Sequence, residues 1–100
     1  MKHTIAGAAA AALAAMALAT APLAAAGPEE DFLVAVAAAG ITDLSPQQLV
    51  DLGRTVCTDR AAGIAFNDAI QRVAASNGLN PAQASVVVSA ATAAFCPQLF

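Results

Sequence analysis

The sequence predicts an all-α fold: a small bundle of about four helices, stapled by one disulfide and following a cleaved N-terminal signal peptide. Three observations carry that expectation. After Pro28 the apolar residues recur at spacings of three and four, with no strand-like alternation. Two connections, GITDLSPQQL and NGLNPAQA, each read as a helix stop followed by a helix start. The two cysteines, Cys57 and Cys96, follow what reads as an export signal.

The signal comes first along the chain. Lys2 and His3 form a short basic start, followed by an apolar run from Ile5 to Leu18 and then by ATAPLAAAG. Small residues at Ala24 and Ala26 place cleavage after Ala26, so 1–26 is the expected signal peptide and 27–100 a single helical domain. A cut after Ala21 would leave Pro22 at the first mature position. The rival reading is a retained anchor, since Ile5 to Ala26 is long enough to cross about 30 Å of hydrocarbon. Its composition argues against insertion, because most of the stretch is alanine and Pro22 interrupts it. No cysteine follows the signal to carry a lipid and no twin arginine is present, which points to the general secretory route.

Cleavage narrows the chemistry. The 74 residues of 27–100 contain no His, Lys, Met, Trp or Tyr, and three arginines face seven carboxylates for a net charge of −4. An acidic chain without interleaved basic and aromatic residues lacks the electrostatic footprint of a nucleic-acid binder. It also lacks the basic patch that would hold it on an anionic membrane surface.

Each helix has its own signals. Glu29, Glu30 and Asp31 open the first, where negative charge suits the positive end of the helix dipole. Phe32, Leu33 and Val36 then share a face, and Gly40 ends the helix in a left-handed turn with Ile41 as its apolar partner. Ser45 is an N-cap, Pro46 occupies the first helical position, and Gln48 completes a capping box. The same logic returns with Gly78 and Leu79 as the stop and with Asn80, Pro81 and Gln83 as the start. These turns bracket a second helix from about Pro46 to Arg60 and a third from about Ile64 to Ser76, with Gly63 between them.

The expected core follows from helical spacing. Leu49, Leu52, Gly53 and Val56 form a stripe on the second helix, flanked by Val50 and Cys57; Phe66, Ile70 and Val73 form one on the third. The fourth helix, from about Pro81 to Phe95, is apolar on most of its circumference, which places it at the centre of the bundle. Pro97 disfavours helix at the residue before it, so this helix ends at Cys96.

A domain of this size obtains only about 3–5 kcal/mol from its core. An even number of cysteines in an exported chain therefore suggests a Cys57–Cys96 disulfide, worth about 4 kcal/mol for a loop of about 40 residues. An intermolecular disulfide or a free thiol are the remaining uses. A metal site needs two further ligands where no His is present, and a redox pair is more often written C-x-x-C. Ser85, Ser89, Thr92 and Cys96 fall on one side of a regular helix. They make either a hydroxyl-lined groove or a small-residue face for close helix packing, and the second is the simpler expectation.

The candidates for catalysis and cofactor binding are few. Nucleophilic catalysis needs a base beside the hydroxyl or thiol, usually His. Asp51, Asp59 and Asp68 read as solvated helix faces rather than an acid–base pair. The run Glu29-Glu30-Asp31 lacks the spacing of a calcium loop. Haem would need a His, Met, Tyr or free Cys ligand. The expectation is therefore no catalytic residue, no metal and no cofactor. An apolar ligand held between helices requires only a cavity lined by Val, Ile, Leu and Phe.

The order of these landmarks resembles the family of small secreted actinobacterial, chiefly mycobacterial, proteins known as domain of unknown function 732. The matching features are an acidic start into Phe32-Leu33, Gly40-Ile41, Gly53 shortly before Cys57, Gly63, and Cys96-Pro97 near the end. The resemblance spans about Asp31 to Pro97, nearly the whole of the mature chain. It implies an exported helical domain with the two cysteines joined, and it implies no activity. One departure is Phe95, where the family more often carries Tyr, so that position lacks a hydroxyl. The functional expectation is a non-enzymatic, secreted or cell-envelope module that binds an envelope or extracellular protein partner. The alternative is a carrier of a small apolar ligand, and neither requires a membrane anchor after cleavage.

Overall fold

In a computed structural model the chain is described over residues 27–100. The expected signal peptide, 1–26, lies outside the described residues. Among the described residues four helices follow one another: α1 over residues 27–38, α2 over Pro46–Ala61, α3 over Phe66–Asn77 and α4 over Pro81–Phe95. A short 3₁₀ turn, Pro97–Leu99, closes the chain. Among the described residues no helix is long and apolar enough to cross a membrane.

Both expected capping boxes form. Ser45 Oγ accepts from the Gln48 amide at 3.2 Å, while the Ser45 amide donates to Gln48 Oε1 at 2.8 Å. Asn80 and Gln83 repeat the exchange at 2.8 and 3.3 Å. Each box satisfies two amides that an unfinished helix end leaves without partners.

The helix stops share one device, and it occurs three times rather than twice. Gly40, Gly63 and Gly78 all have positive φ, a conformation that any side chain would strain. The next residue reaches back in each case: Ile41 to the Val36 carbonyl at 3.4 Å, Ile64 to Asp59 at 3.0 Å, and Leu79 to Ala74 at 3.1 Å. These are the long bonds of Schellman caps, and the residue that makes each one is the apolar contact of its turn.

The third cap explains a correction to the reading of α3. This helix begins at Phe66, not near Ile64, because Ile64 is occupied in closing the turn after α2. Its N-cap is Ala65, which has no side chain to accept a hydrogen bond.

The core is centred on α4, as its apolar circumference predicts. Ala84, Val87, Val88 and Ala91 of α4 have no exposed surface, and Phe32, Val36, Leu49, Val56 and Val73 from the other helices close around them. On α3 the fully buried residues are Ala69 and Val73, while Phe66 and Ile70 are half-buried. The apolar face is therefore centred on an alanine rather than on Phe66 and Ile70. A small residue there lets α3 approach α4, and the larger side chains pack around its edge.

Candidate functional site

The two cysteines meet at the C-terminal end of the bundle. Cys57 on α2 and Cys96 just after α4 are joined, with Cα atoms 5.9 Å apart and 39 residues between them in sequence. Cys96 is buried and points toward α2, and Cys57 Sγ lies 3.5 Å from the Ala91 carbonyl of α4. A disulfide sulfur has no proton to donate, so this is a packing contact that records how closely α2 and α4 approach.

That approach also answers the question of the Ser/Thr side. Thr92 is fully buried, and its hydroxyl donates to the Val88 carbonyl at 2.7 Å. Ser85 and Ser89 are half-buried. The Thr92 hydroxyl is thus satisfied inside its own helix, as a buried polar group requires. This part of the side is a packing face, not a polar groove.

An aromatic cluster lies beside the disulfide. The rings of Phe32 and Phe95 sit 5.3 Å apart and inclined at 48°, a tilted pair at the contact distance of packed aromatic rings. Both rest on Gly53 of α2, where a Cβ would come within 2.7 Å of the Phe95 ring and 3.1 Å of Phe32. Arg54 covers the outer face of Phe95 at 4.9 Å from its centroid and pairs with Glu29 at 2.6 Å. Both charged side chains are more than half exposed, so the pair adds little stability and its effect is to hold the guanidinium over the ring.

Arg60 performs a second fastening that the sequence reading did not identify. Its Nη1 donates to the Ile64 carbonyl at 2.8 Å and its Nη2 to the Leu99 carbonyl at 3.0 Å, while the guanidinium lies 5.5 Å from the Phe66 ring centroid. Its Nε is buried without a hydrogen-bond partner among the described residues. One side chain thus joins the turn after α2, the start of α3 and the 3₁₀ segment. A signal was available, because Arg60 lies three residues after Cys57 and so faces the same side of α2.

Several grooves mark the surface, two of them with aliphatic floors. One, of about 200 Å³, runs between α1 and α4 over Ala35, Ala90, Ala93 and Ala94, with Asp31 at its edge. The other, of about 120 Å³, lies between α2 and α3. Its floor is Leu52, Val56 and Val73, and its rim includes Thr55, Asp59, Arg72 and Ser76. Asp59 and Arg72 face each other across it at 3.8 Å, beyond hydrogen-bond range. Among the described residues no three His, Cys, Asp or Glu side chains are grouped to hold a metal ion.

Fold and fastenings together define a small disulfide-stapled helical domain with grooves on its surface. The family model for "Protein of unknown function (DUF732)" matches residues 28–98, and the chain belongs to that family. No curated protein and no solved structure matches the chain. A disulfide and the absence of a membrane-spanning helix among the described residues are compatible with an extracytoplasmic location.

Proposed function

We propose that this protein is a non-enzymatic interaction module, exported to the cell envelope or medium of an actinobacterial cell, where it binds a protein partner through its helical surface. The observation that carries this reading is how its reactive side chains are used. Both cysteines are bonded, Arg54 and Arg60 fasten helices, and the Thr92 hydroxyl is buried in its own helix. Polar side chains including Thr55, Asp59, Arg72 and Ser76 border a surface groove between α2 and α3. Export is supported by the signal-like segment before Gly27 and by a disulfide that persists in oxidising compartments.

Crosslinking in the intact exporting cell, followed by native mass spectrometry of the recovered protein, tests the proposal. The expected result is one dominant crosslinked protein, together with a chain that begins at Gly27 and weighs about 2 Da less than its reduced form, because two thiol hydrogens are lost. A small molecule of fixed mass retained under several growth conditions would overturn the module reading in favour of an apolar-ligand carrier. A mass that retains Met1 would overturn the cleavage.

A further inference from the structure

We propose that Arg60 is the latch of a redox-gated clasp: while it holds the Leu99 carbonyl the Cys57–Cys96 disulfide is closed to reductants, and thiols reach it only when that bond lets go. The inference goes beyond the module reading and does not depend on it.

The joint is made twice, one turn apart. Arg60 follows Cys57 by three residues on α2, and Leu99 follows Cys96 by three in the 3₁₀ turn, where the Leu99 amide donates to the Cys96 carbonyl at 2.9 Å. The same two segments are thus joined by the disulfide and, one turn further on, by the Arg60 Nη2 bond to the Leu99 carbonyl at 3.0 Å.

Little else holds the turn. None of Pro97, Gln98 and Leu99 is fully buried, and Phe100 beyond them is 70% exposed. Its own backbone bonds, Leu99 to Cys96 and Phe100 to Pro97, stay within it. Among the described residues the Arg60 bond is the one hydrogen bond that ties it to another helix.

The disulfide behind the latch is protected. Cys96 is only 3% exposed, and the Ala91 carbonyl oxygen stands 3.5 Å from Cys57 Sγ, where its partial negative charge opposes an incoming thiolate. In reduction by a dithiol, a thiolate forms a mixed disulfide with one sulfur and expels the other, which takes a proton; the reductant's second thiol then closes on its first. Two electrons pass to the protein, leaving two protein thiols and a cyclic disulfide. Opening the turn is the smallest motion that admits the attack, since a segment with few buried contacts opens well below the cost of global unfolding. The latch is also disposed to release. Arg60 Nε is buried without a hydrogen-bond partner among the described residues, so swinging the guanidinium out to water regains a bond.

The test follows reduction by dithiothreitol, without denaturant, of the protein recovered from the exporting cell with its disulfide intact, free thiols being alkylated and counted by mass. Arg60→Met keeps an aliphatic stem and removes the donors; its reduction should be faster by about tenfold or more, the worth of a charged hydrogen bond. Loss of a positive charge alone would act the other way, by attracting the reductant's thiolate less. Val73→Ala, which weakens a core contact of α3 and lowers Tm, should be reduced within about twofold of the wild-type rate, because local opening leaves that contact intact. For the wild type the rate should barely rise in low urea, since opening one turn exposes little surface. An unchanged rate in Arg60→Met, an acceleration of Val73→Ala in step with its loss of Tm, or a urea slope as steep as that of global unfolding would overturn the latch. If Arg60→Met does not fold, Arg60→Lys replaces it, which keeps the charge but not the fork that reaches Ile64 and Leu99 together. It should be reduced several-fold faster than wild type, and an unchanged rate would likewise overturn the latch.

Discussion

Gly53 is the residue where two opposing effects can be weighed. Replacing it with alanine removes the conformational penalty of glycine in a helix, a gain of up to about 1 kcal/mol. The added methyl, however, meets the Phe95 ring at 2.7 Å, and that ring is confined by Phe32 on one side and Arg54 on another. Overpacking of this kind costs about 1–3 kcal/mol. Gly53→Ala should therefore lower stability by roughly 1 kcal/mol, a fall in Tm of about 4–8 °C in a domain of this size. A variant melting above wild type would show that the rings move aside. Helical spacing placed Gly53 on the buried stripe, but that it carries two aromatic rings depends on which residues α1 and α4 bring to it. Arg60 makes the same point in reverse. In sequence it is one charge on a helix, whereas in the fold it contacts Ile64, Phe66 and Leu99.

At the scale of the helix, α2 and α4 are well specified and α3 is not. The first two carry a complete capping box and a proline at the first position, features whose bonding is local and which are therefore readable in the chain. α3 starts on Ala65, which already has the extended conformation of an N-cap, φ −64° and ψ 151°, but has no oxygen to offer. Asp68 stands at the third helical position. Ala65→Ser should supply the missing acceptor and raise stability by about 1 kcal/mol, seen as a higher Tm and slower amide exchange in the first turn of α3. An unchanged Tm would mean that water already satisfies those amides at no cost. The reading of α3 missed its start because the turn after α2 uses Ile64 as its closing residue, and a Gly-Ile pair resembles both a stop and a start. Its core face was displaced toward Ala69 because periodicity ranks large apolar residues, while close helix packing selects small ones.

Across the whole molecule, the disulfide decides whether the bundle persists. It closes the segment from α2 to the end of α4, and the entropy of that loop is worth about 4 kcal/mol, a large share of what a small core supplies. The double variant Cys57→Ser, Cys96→Ser should lose most of its cooperative unfolding transition near room temperature. Retention of the wild-type Tm would show that the core and the Arg60 fastening suffice. The helix count among the described residues, the starts of α2 and α4, the centrality of α4 and its end before Pro97 were all determined by the sequence, because caps, prolines and apolar circumference act within a few residues of themselves. The tertiary structure alone decided that Phe95 lies on Gly53, that Arg60 holds Leu99, that the Thr92 side is packed, and that a charged groove separates α2 from α3. Those features depend on pairs of residues far apart in the chain, and only the packing of helix against helix brings them together.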